Sequence, residues 1–336
     1  MGTLLIDEWL GADAAAAIAI RDDASTALVR AEVRRLGPTL GLGPEAVERA
    51  TSAASELARN QLAHARAGSV VVHAASARAG VPGIEVVAAD GGAGIADPTV
   101  ALAGFGSPRG SLGVGLSAAY RLVDEMDADV RWGEGTCLWA RTFAAPVARS
   151  ELAILGRPYE ASVSSGDQAA FVRGPDALLV AVVDGLGHGH PARAAADRAV
   201  ALVRAHPELP PDELLSRCDA ALRGTRGGVM AIVRIDLAAG TLVHASCGDV
   251  TTRILDVIGP AMTLTGPARI LGTRQGARFT AQSAPLGPRQ VVVVHSDGLT
   301  SRVELADPRQ PALVIAHDLV VRFGRAHDDA IVAVIK

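Results

Sequence analysis

The sequence predicts an α+β protein in two parts, an α/β sandwich with its helices on one sheet face, followed by a β-sandwich covered by helices on both faces. Three observations predict it. A long helical stretch at about 44–66 leads into strands rich in Val and Ile. The segment 144–149 has no periodicity, and after it the pattern changes from mixed α/β to strand pairs. Two helical stretches, about 191–205 and 211–222, then divide those strands into groups, as a sandwich with covering helices requires.

Each element has a local reason. Residues 1–13 read as an N-terminal extension and 14–20 as a strand; Asp22 or Asp23 then caps a helix to about 36 that Gly37-Pro38 ends. Pro44 suits the first position of the next helix, and Gly68 follows its end. Strands at 69–76 and 83–89 flank a turn containing Pro82-Gly83, and the loop 90–110 is glycine-rich. Leu116, Tyr120, Leu122 and Val123 give 112–126 a helical spacing, and strands 129–132 and 136–143 form a hairpin over Gly133-Glu134-Gly135. The first domain is therefore 14–143, the linker 144–151 and the second domain 152–336. In the second, strands are expected at 152–163, 169–173, 177–183, 229–236, 241–246, 251–255, 291–295 and 330–335, with a late helix at about 311–321.

Composition removes several classes of function. With 336 residues and 49% apolar content, each domain has enough for its own core. No apolar run approaches the ~20 residues of a membrane span, and the acidic start, with Asp7, Glu8 and Asp13, is unlike a secretory leader, so a cytoplasmic protein is expected. A net charge of −4 without a basic cluster gives no footprint for nucleic acid. Cys137, Cys218 and Cys247 are too scattered for a zinc site or a disulfide framework. The one lysine, Lys336, rules out the GxxxxGK phosphate loop.

Acids recur at strand ends in the second domain. Asp184 follows the apolar strand 177–183 and precedes Gly185-Leu186-Gly187; Asp297 ends 291–295 and precedes Gly298; Asp328-Asp329 introduces the last strand, and Asp167 precedes another. Taken singly, Asp-Gly is an ordinary turn. As a set, hard carboxylate oxygens select Mg²⁺ or Mn²⁺, and an ion pair sharing one aspartate can acidify a water for attack on phosphorus.

These residues resemble the Mg²⁺/Mn²⁺-dependent (PPM) protein phosphatases, in their SpoIIE-like and RsbX-like branch. The likeness spans about 152–336 and rests, in family order, on Gly166-Asp167, Val183-Asp184-Gly185-Leu186-Gly187-His188-Gly189, Gly227-Gly228, Cys247-Gly248-Asp249, His295-Ser296-Asp297-Gly298-Leu299 and Asp328-Asp329-Ala330. It implies an αββα fold holding two Mn²⁺ or Mg²⁺ ions. Asp184 bridges them, Gly185 offers its carbonyl, Asp297 and Asp328 complete the site, and Asp167 acts from behind or on a third ion. No arginine stands just ahead of Asp167 to grip phosphate. His188 and His190 are candidate proton donors or simply solvated loop residues.

The first domain carries a nucleotide constellation. Glu56 and Asn60 lie four apart on one helix face. Asp90-Gly91-Gly92-Ala93-Gly94 follows a strand, where a carboxylate can accept the adenine amino hydrogen. Gly110-Ser111-Leu112-Gly113-Val114-Gly115 opens a helix whose free amides favour phosphate. Gly113-Val114-Gly115-Leu116-Ser117-Ala118 also fits the GxGxxA dinucleotide pattern, but no apolar strand runs into Gly113 as that pattern demands.

The ordered triple resembles the GHKL (Bergerat) ATP-binding fold, and Ser55-Glu56-Leu57-Ala58-Arg59-Asn60 is similar to the switch kinases of the RsbT/anti-sigma type. The resemblance implies ATP with Mg²⁺ on Asn60, Glu56 as the base that activates a partner hydroxyl, Asp90 on adenine, Gly92, Gly94, Gly110, Gly113 and Gly115 lining the nucleotide, and a hydroxyl contact from Thr136. A histidine-kinase core would need an upstream phosphoacceptor helix, and gyrase-like or MutL-like ATPases a following domain with a catalytic lysine; neither is present. The fusion thus implies opposed kinase and phosphatase activities on a STAS-domain partner, of the anti-sigma antagonist or stressosome scaffold type, in a stress or sigma-factor partner-switching pathway. The alternatives are a phosphatase with a nucleotide-gated regulator or anti-sigma-like binding module at its N-terminus, and a scaffold without turnover.

Overall fold

The computed structural model describes residues 2–65, 67–76, 80–103, 114–159, 164–256, 261–273 and 278–336. The chain divides into two compact units, Met1–Ala153 and Ile154–Lys336. The expected linker 144–151 thus falls within the first unit, and the division lies inside the strand that starts at Leu152.

The first unit opens with helix α1 (Gly2–Leu10) and a 3-10 turn (Gly11–Ala16), then β1 (Ile18–Ile20), α2 (Asp23–Thr39) and α3 (Pro44–His64). Next come β2 (Gly68–Ser76), β3 (Pro82–Asp90), α4 (Pro98–Ala103), α5 (Val114–Leu122), β4 (Glu125–Arg131) and β5 (Gly135–Phe143). The strands order as β1-β2-β3-β5-β4, antiparallel throughout. Helices α2 and α3 pack together and on the sheet through Val29, Val33, Ala54 and Leu57, all buried.

Several elements depart from expectation for physical reasons. The supposed extension is α1: Trp9 is buried and its Nε1 donates to Asp129 Oδ2 at 2.9 Å. Strand alternation sets Asp129 on the face opposite Leu138 and Ala88, so helices cover both faces of this sheet rather than one. That second face is charged yet buried, because Arg141 pairs with Glu85 and Asp127 (2.7 Å to the latter) and Arg131 pairs with Asp129. Helix α2 does not stop at Leu36. Pro38 deletes one hydrogen bond near its end, and the chain turns only at Gly41, whose φ is +81°. Asp22 caps it, accepting from Ser25 N at 2.8 Å. Met126 belongs to β4 rather than to α5, since the alternation of buried acids and Met126, Ala128 and Val130 has a strand's period.

The second unit contains β6 (Leu152–Arg157), β7 (Asp167–Arg173), β8 (Ala177–Gly185), α6 (His190–Ala205), α7 (Pro211–Ala221), β9 (Gly228–Asp236) and β10 (Thr241–Cys247). After these come β11 (Thr251–Leu255), β12 (Met262–Leu264), β13 (Gln282–Pro285), β14 (Val291–His295), α8 (Ala312–Phe323) and β15 (Ala330–Ile335). One sheet runs β13-β10-β9-β8-β7, and strands of the other follow the order β6-β15-β14-β11-β12. Helices α6 and α7 cover the first through Ala196, Val200, Leu214 and Leu215, and α8 packs on β15. The unit is the expected αββα sandwich. The short strands β12 and β13 went unforeseen, because the sequence between β11 and β14 has neither sustained alternation nor an apolar run.

Candidate nucleotide and metal sites

In the first unit, α3, the end of β3 and the start of β5 enclose a cavity of about 510 Å³ lined by Asn60, Asp90, Gly92, Gly94 and Thr136, with Leu57, Leu116 and Leu138 as its apolar floor. Antiparallel register sets Asp90 opposite Thr136, which explains why residues 46 positions apart share the wall. Asp90 Oδ1 accepts from Gly92 N at 2.8 Å, and burial lifts the carboxyl to about 6. Gly94, with φ +82°, adopts a conformation that favours glycine and lies against the Trp132 backbone. The loop beyond is pinned where Trp132 Nε1 donates to Ile95 O at 3.0 Å and Gly133 N to Ala93 O at 2.9 Å.

Helix α5 meets α3 beside this cavity. A Cβ on Gly115 would lie 2.9 Å from Asn60 Oδ1 and 3.0 Å from Glu56 Oε2, so glycine is what admits this approach. Glu56 is not among the cavity's lining residues and pairs with Arg59 at 2.9 Å. Gly110 and Gly113 lie outside the described residues. A residue not singled out in the sequence also lines the cavity: the Gln61 amide donates to Ala89 O at 3.0 Å, tying α3 to β3 while its buried Oε1 has no hydrogen-bond partner among the described residues. Its place next to Asn60 was the one clue.

In the second unit, paired strand ends bring the acids together. Asp167 and Asp184 face each other across β7 and β8; Asp297 follows β14, and Asp328 precedes its neighbour β15. Ser296 ties the two groups, its Oγ donating to Asp167 Oδ2 at 2.6 Å and accepting from Ile331 N at 3.1 Å. Asp329 is consumed by the backbone, its two oxygens accepting from Tyr159 N and Gly166 N at 2.7 Å each. Asp328 is the one of the pair left to face Asp297. The strand ends close because glycine stands at Gly298, where a Cβ would fall 1.8 Å from Asp329 O, and α6 meets the end of β8 because Gly185 is glycine, where a Cβ would fall 2.2 Å from Ala192 O. Neither Ser296 nor Asp329 was assigned a role from sequence, since both roles depend on partners more than 30 residues away.

The crowding is electrostatically costly. Burial first, then the neighbouring Asp297 carboxylate and its hydrogen bond, with Asp328 and Asp329 adding to them, push Asp184 up to about 7. Burial and Asp184 likewise raise Asp167 well above the carboxylate range, against the Ser296 hydrogen bond. Asp328 is raised by burial and by Asp297 and Asp329, with the Arg325 charge opposing. No group of three or more His, Cys, Asp or Glu side chains among the described residues forms a ready-made metal cage. Magnesium does not need one, because it keeps several waters and binds through one or two carboxylates. Hard oxygen donors crowded without a basic side chain among the influences on Asp184 fit a divalent cation, which would remove the repulsion. His188 is exposed in the loop after Gly187, and His190 is exposed at the start of α6.

Comparison with known proteins agrees with both units. Residues 20–142 match the family model of the histidine kinase-like ATPase domain, and residues 174–335 match that of stage II sporulation protein E (SpoIIE). Over 103 residues the chain is 37% identical to the serine/threonine-protein kinase RsbT of Bacillus subtilis (strain 168), spanning 31% of this chain and 77% of that protein. The chain belongs to the RsbT family by its N-terminal half, and its C-terminal half matches the SpoIIE model. It joins a histidine kinase-like ATPase domain to a SpoIIE-like domain in one polypeptide. Among solved structures, one described as "The bacterial stressosome: a modular system that has been adapted to control secondary messenger signaling" is 29% identical with a TM-score of 0.52, covering 56% of this chain and all of that one. Another, of RsbX in complex with magnesium, is 20% identical with a TM-score of 0.49, covering 55% of this chain and 94% of that one.

Proposed function

We propose that this chain both phosphorylates and dephosphorylates a serine or threonine of a STAS-domain partner, as a cytoplasmic partner-switching regulator. The observation that carries the phosphatase half is Asp184 held at hydrogen-bonding range of Asp297, with Asp167, Asp328 and the Gly185 backbone at the same strand ends. Asp184, Asp297 and Asp328 with the Gly185 carbonyl would hold two Mn²⁺ or Mg²⁺ ions, with Asp167 acting from behind or on a third. Bound there, the ions supply an acidified water as nucleophile. The chain orients these carboxylates through Ser296 and Asp329, and His188, in the adjoining loop, hands a proton to the departing serine oxygen.

In the kinase half, Asp90 accepts the adenine amino hydrogen, Asn60 would hold Mg²⁺, and Gly115 at the start of α5 leaves room beside Asn60 for the phosphates. Glu56 takes the proton from the partner's hydroxyl as its oxygen bonds to the γ-phosphorus and ADP leaves. Fusing opposed activities raises the effective concentration of each at the partner. A second reading, in which the first unit is a nucleotide-gated regulator without phosphotransfer, draws on the Glu56–Arg59 pair and on Glu56's place outside the cavity lining. That pair is solvent-exposed and weak, so it yields readily to a substrate.

Radiolabelled ATP, the full-length protein and the STAS-like product of a neighbouring gene separate these readings. Label should enter the partner in wild type, enter and stay in Asp184→Asn, and fail to enter in Glu56→Ala. Labelling unchanged in Glu56→Ala would remove Glu56 as the base and favour the regulator reading.

A further inference from the structure

Phosphate bound beside carboxylates needs a cation of its own, and the sequence has no arginine just ahead of Asp167 to provide one. Most arginines around the acid cluster are already engaged. Arg157 donates to the carbonyls of Arg325 and Asp328, Arg193 pairs with Asp197 at 2.8 Å, and Arg253 donates to Ser301 O and Val303 O. Arg325 is different. Its backbone is pinned at both ends, the N–H donating to Gly298 O at 2.7 Å and the carbonyl accepting from Arg157, while its guanidinium has no ion pair among the described residues. It lines a cavity of about 370 Å³ together with Asp297, Asp249 and His295. An arginine with this fixed root, lining the cavity that holds Asp297 and with its charge acting on Asp328, is suited to a planar, bidentate grip on two phosphate oxygens.

From this geometry we propose that Arg325 seats the phosphoryl group of the phosphoserine or phosphothreonine substrate, taking the part of the arginine that is missing ahead of Asp167. The inference rests on the phosphatase reading above and adds the residue that holds the substrate. Because Arg325 follows α8 and shares a backbone hydrogen bond with Gly298, its placement depends on the same loop that carries Asp297. Phosphate affinity and metal-site geometry are thereby built on one piece of backbone.

The test uses full-length protein with Mn²⁺, p-nitrophenyl phosphate and a synthetic phosphoserine peptide. Arg325→Gln should raise KM for both substrates about tenfold or more, with kcat changing less, as for loss of a charged hydrogen bond. Inhibition by inorganic phosphate should weaken by a similar factor, and Arg325→Lys should recover part of both effects. Arg322→Gln, a nearby surface arginine paired with Asp318, should change neither. If Asp184→Asn abolishes hydrolysis while Arg325→Gln keeps wild-type KM and wild-type inhibition by phosphate, Arg325 is not the phosphate seat and the phosphatase reading survives. A wild type without Mn²⁺-dependent hydrolysis would overturn both.

Discussion

Asp90 and Asp184 are both lifted out of the ordinary carboxylate range by burial, but neighbouring carboxylates add to the shift only at Asp184. At Asp90 the raised value, about 6, should show in nucleotide binding. Only the ionised carboxylate is a full acceptor for the adenine amino group, so affinity should rise as pH rises through about 6 and fall by up to about tenfold per unit below it. Measuring ATP affinity from pH 5 to 8 in wild type and Asp90→Asn checks this, since the variant should bind weakly and lack that step. A wild type and variant with parallel profiles would remove Asp90 from adenine recognition. At this scale Asp167, Asp184, Asp297 and Asp328 were legible as candidates because each is a carboxylate at a strand end, and Asp184 and Asp297 also precede a glycine. Ser296, Asp329 and Gln61 were not, because a serine, a second aspartate or a glutamine acquires meaning only from distant partners.

Among elements, the pair β14 and β15 positions Asp297 and Asp328, and glycine at Gly298 lets the two approaches touch. Gly298→Ala should force Asp329 and Asp297 apart, lowering stability of the second unit by about 1–3 kcal/mol, as overpacking does. Metal-dependent hydrolysis should drop with it while ATP binding by the first unit is retained, so paired hydrolysis and nucleotide-binding assays check the prediction. Retained hydrolysis would mean that the loop relaxes without moving Asp297. Helices α3, α6 and α7 were readable from periodicity and from Pro at their first positions. Helix α1 was not. Nine residues are too few to hold a helix alone, and what stabilises this one is Trp9 buried on the sheet and bonded to Asp129.

At the scale of the whole molecule, the second unit buries groups whose pH dependences oppose each other. Asp184, raised to about 7 without metal, favours the folded state more as pH falls from there toward its unfolded value. His244 on β10 works the other way. It is fully buried, neither ring nitrogen has a hydrogen-bond partner among the described residues, and burial lowers it to about 4 from an unfolded 6.5. The unfolded chain therefore binds the proton first, and the histidine's contribution to stability is intact above about 6.5 and lost as pH falls through 4. Comparing wild type with His244→Leu by denaturant unfolding isolates it from the acids, and the difference should move in the variant's favour by about 3 kcal/mol across that window. A constant difference would mean that the histidine is hydrogen-bonded in solution. By itself the sequence determined the two-part architecture and the placing of aspartates at strand ends, because periodicity, turn chemistry and short motifs are properties of neighbouring residues. Only the tertiary structure decided that α1 closes the first sheet, that Ser296 and Asp329 brace the acid cluster, and that Arg325 and Asp297 line one cavity. Those depend on which distant strands are adjacent, and adjacency is set by packing and pairing across the whole unit.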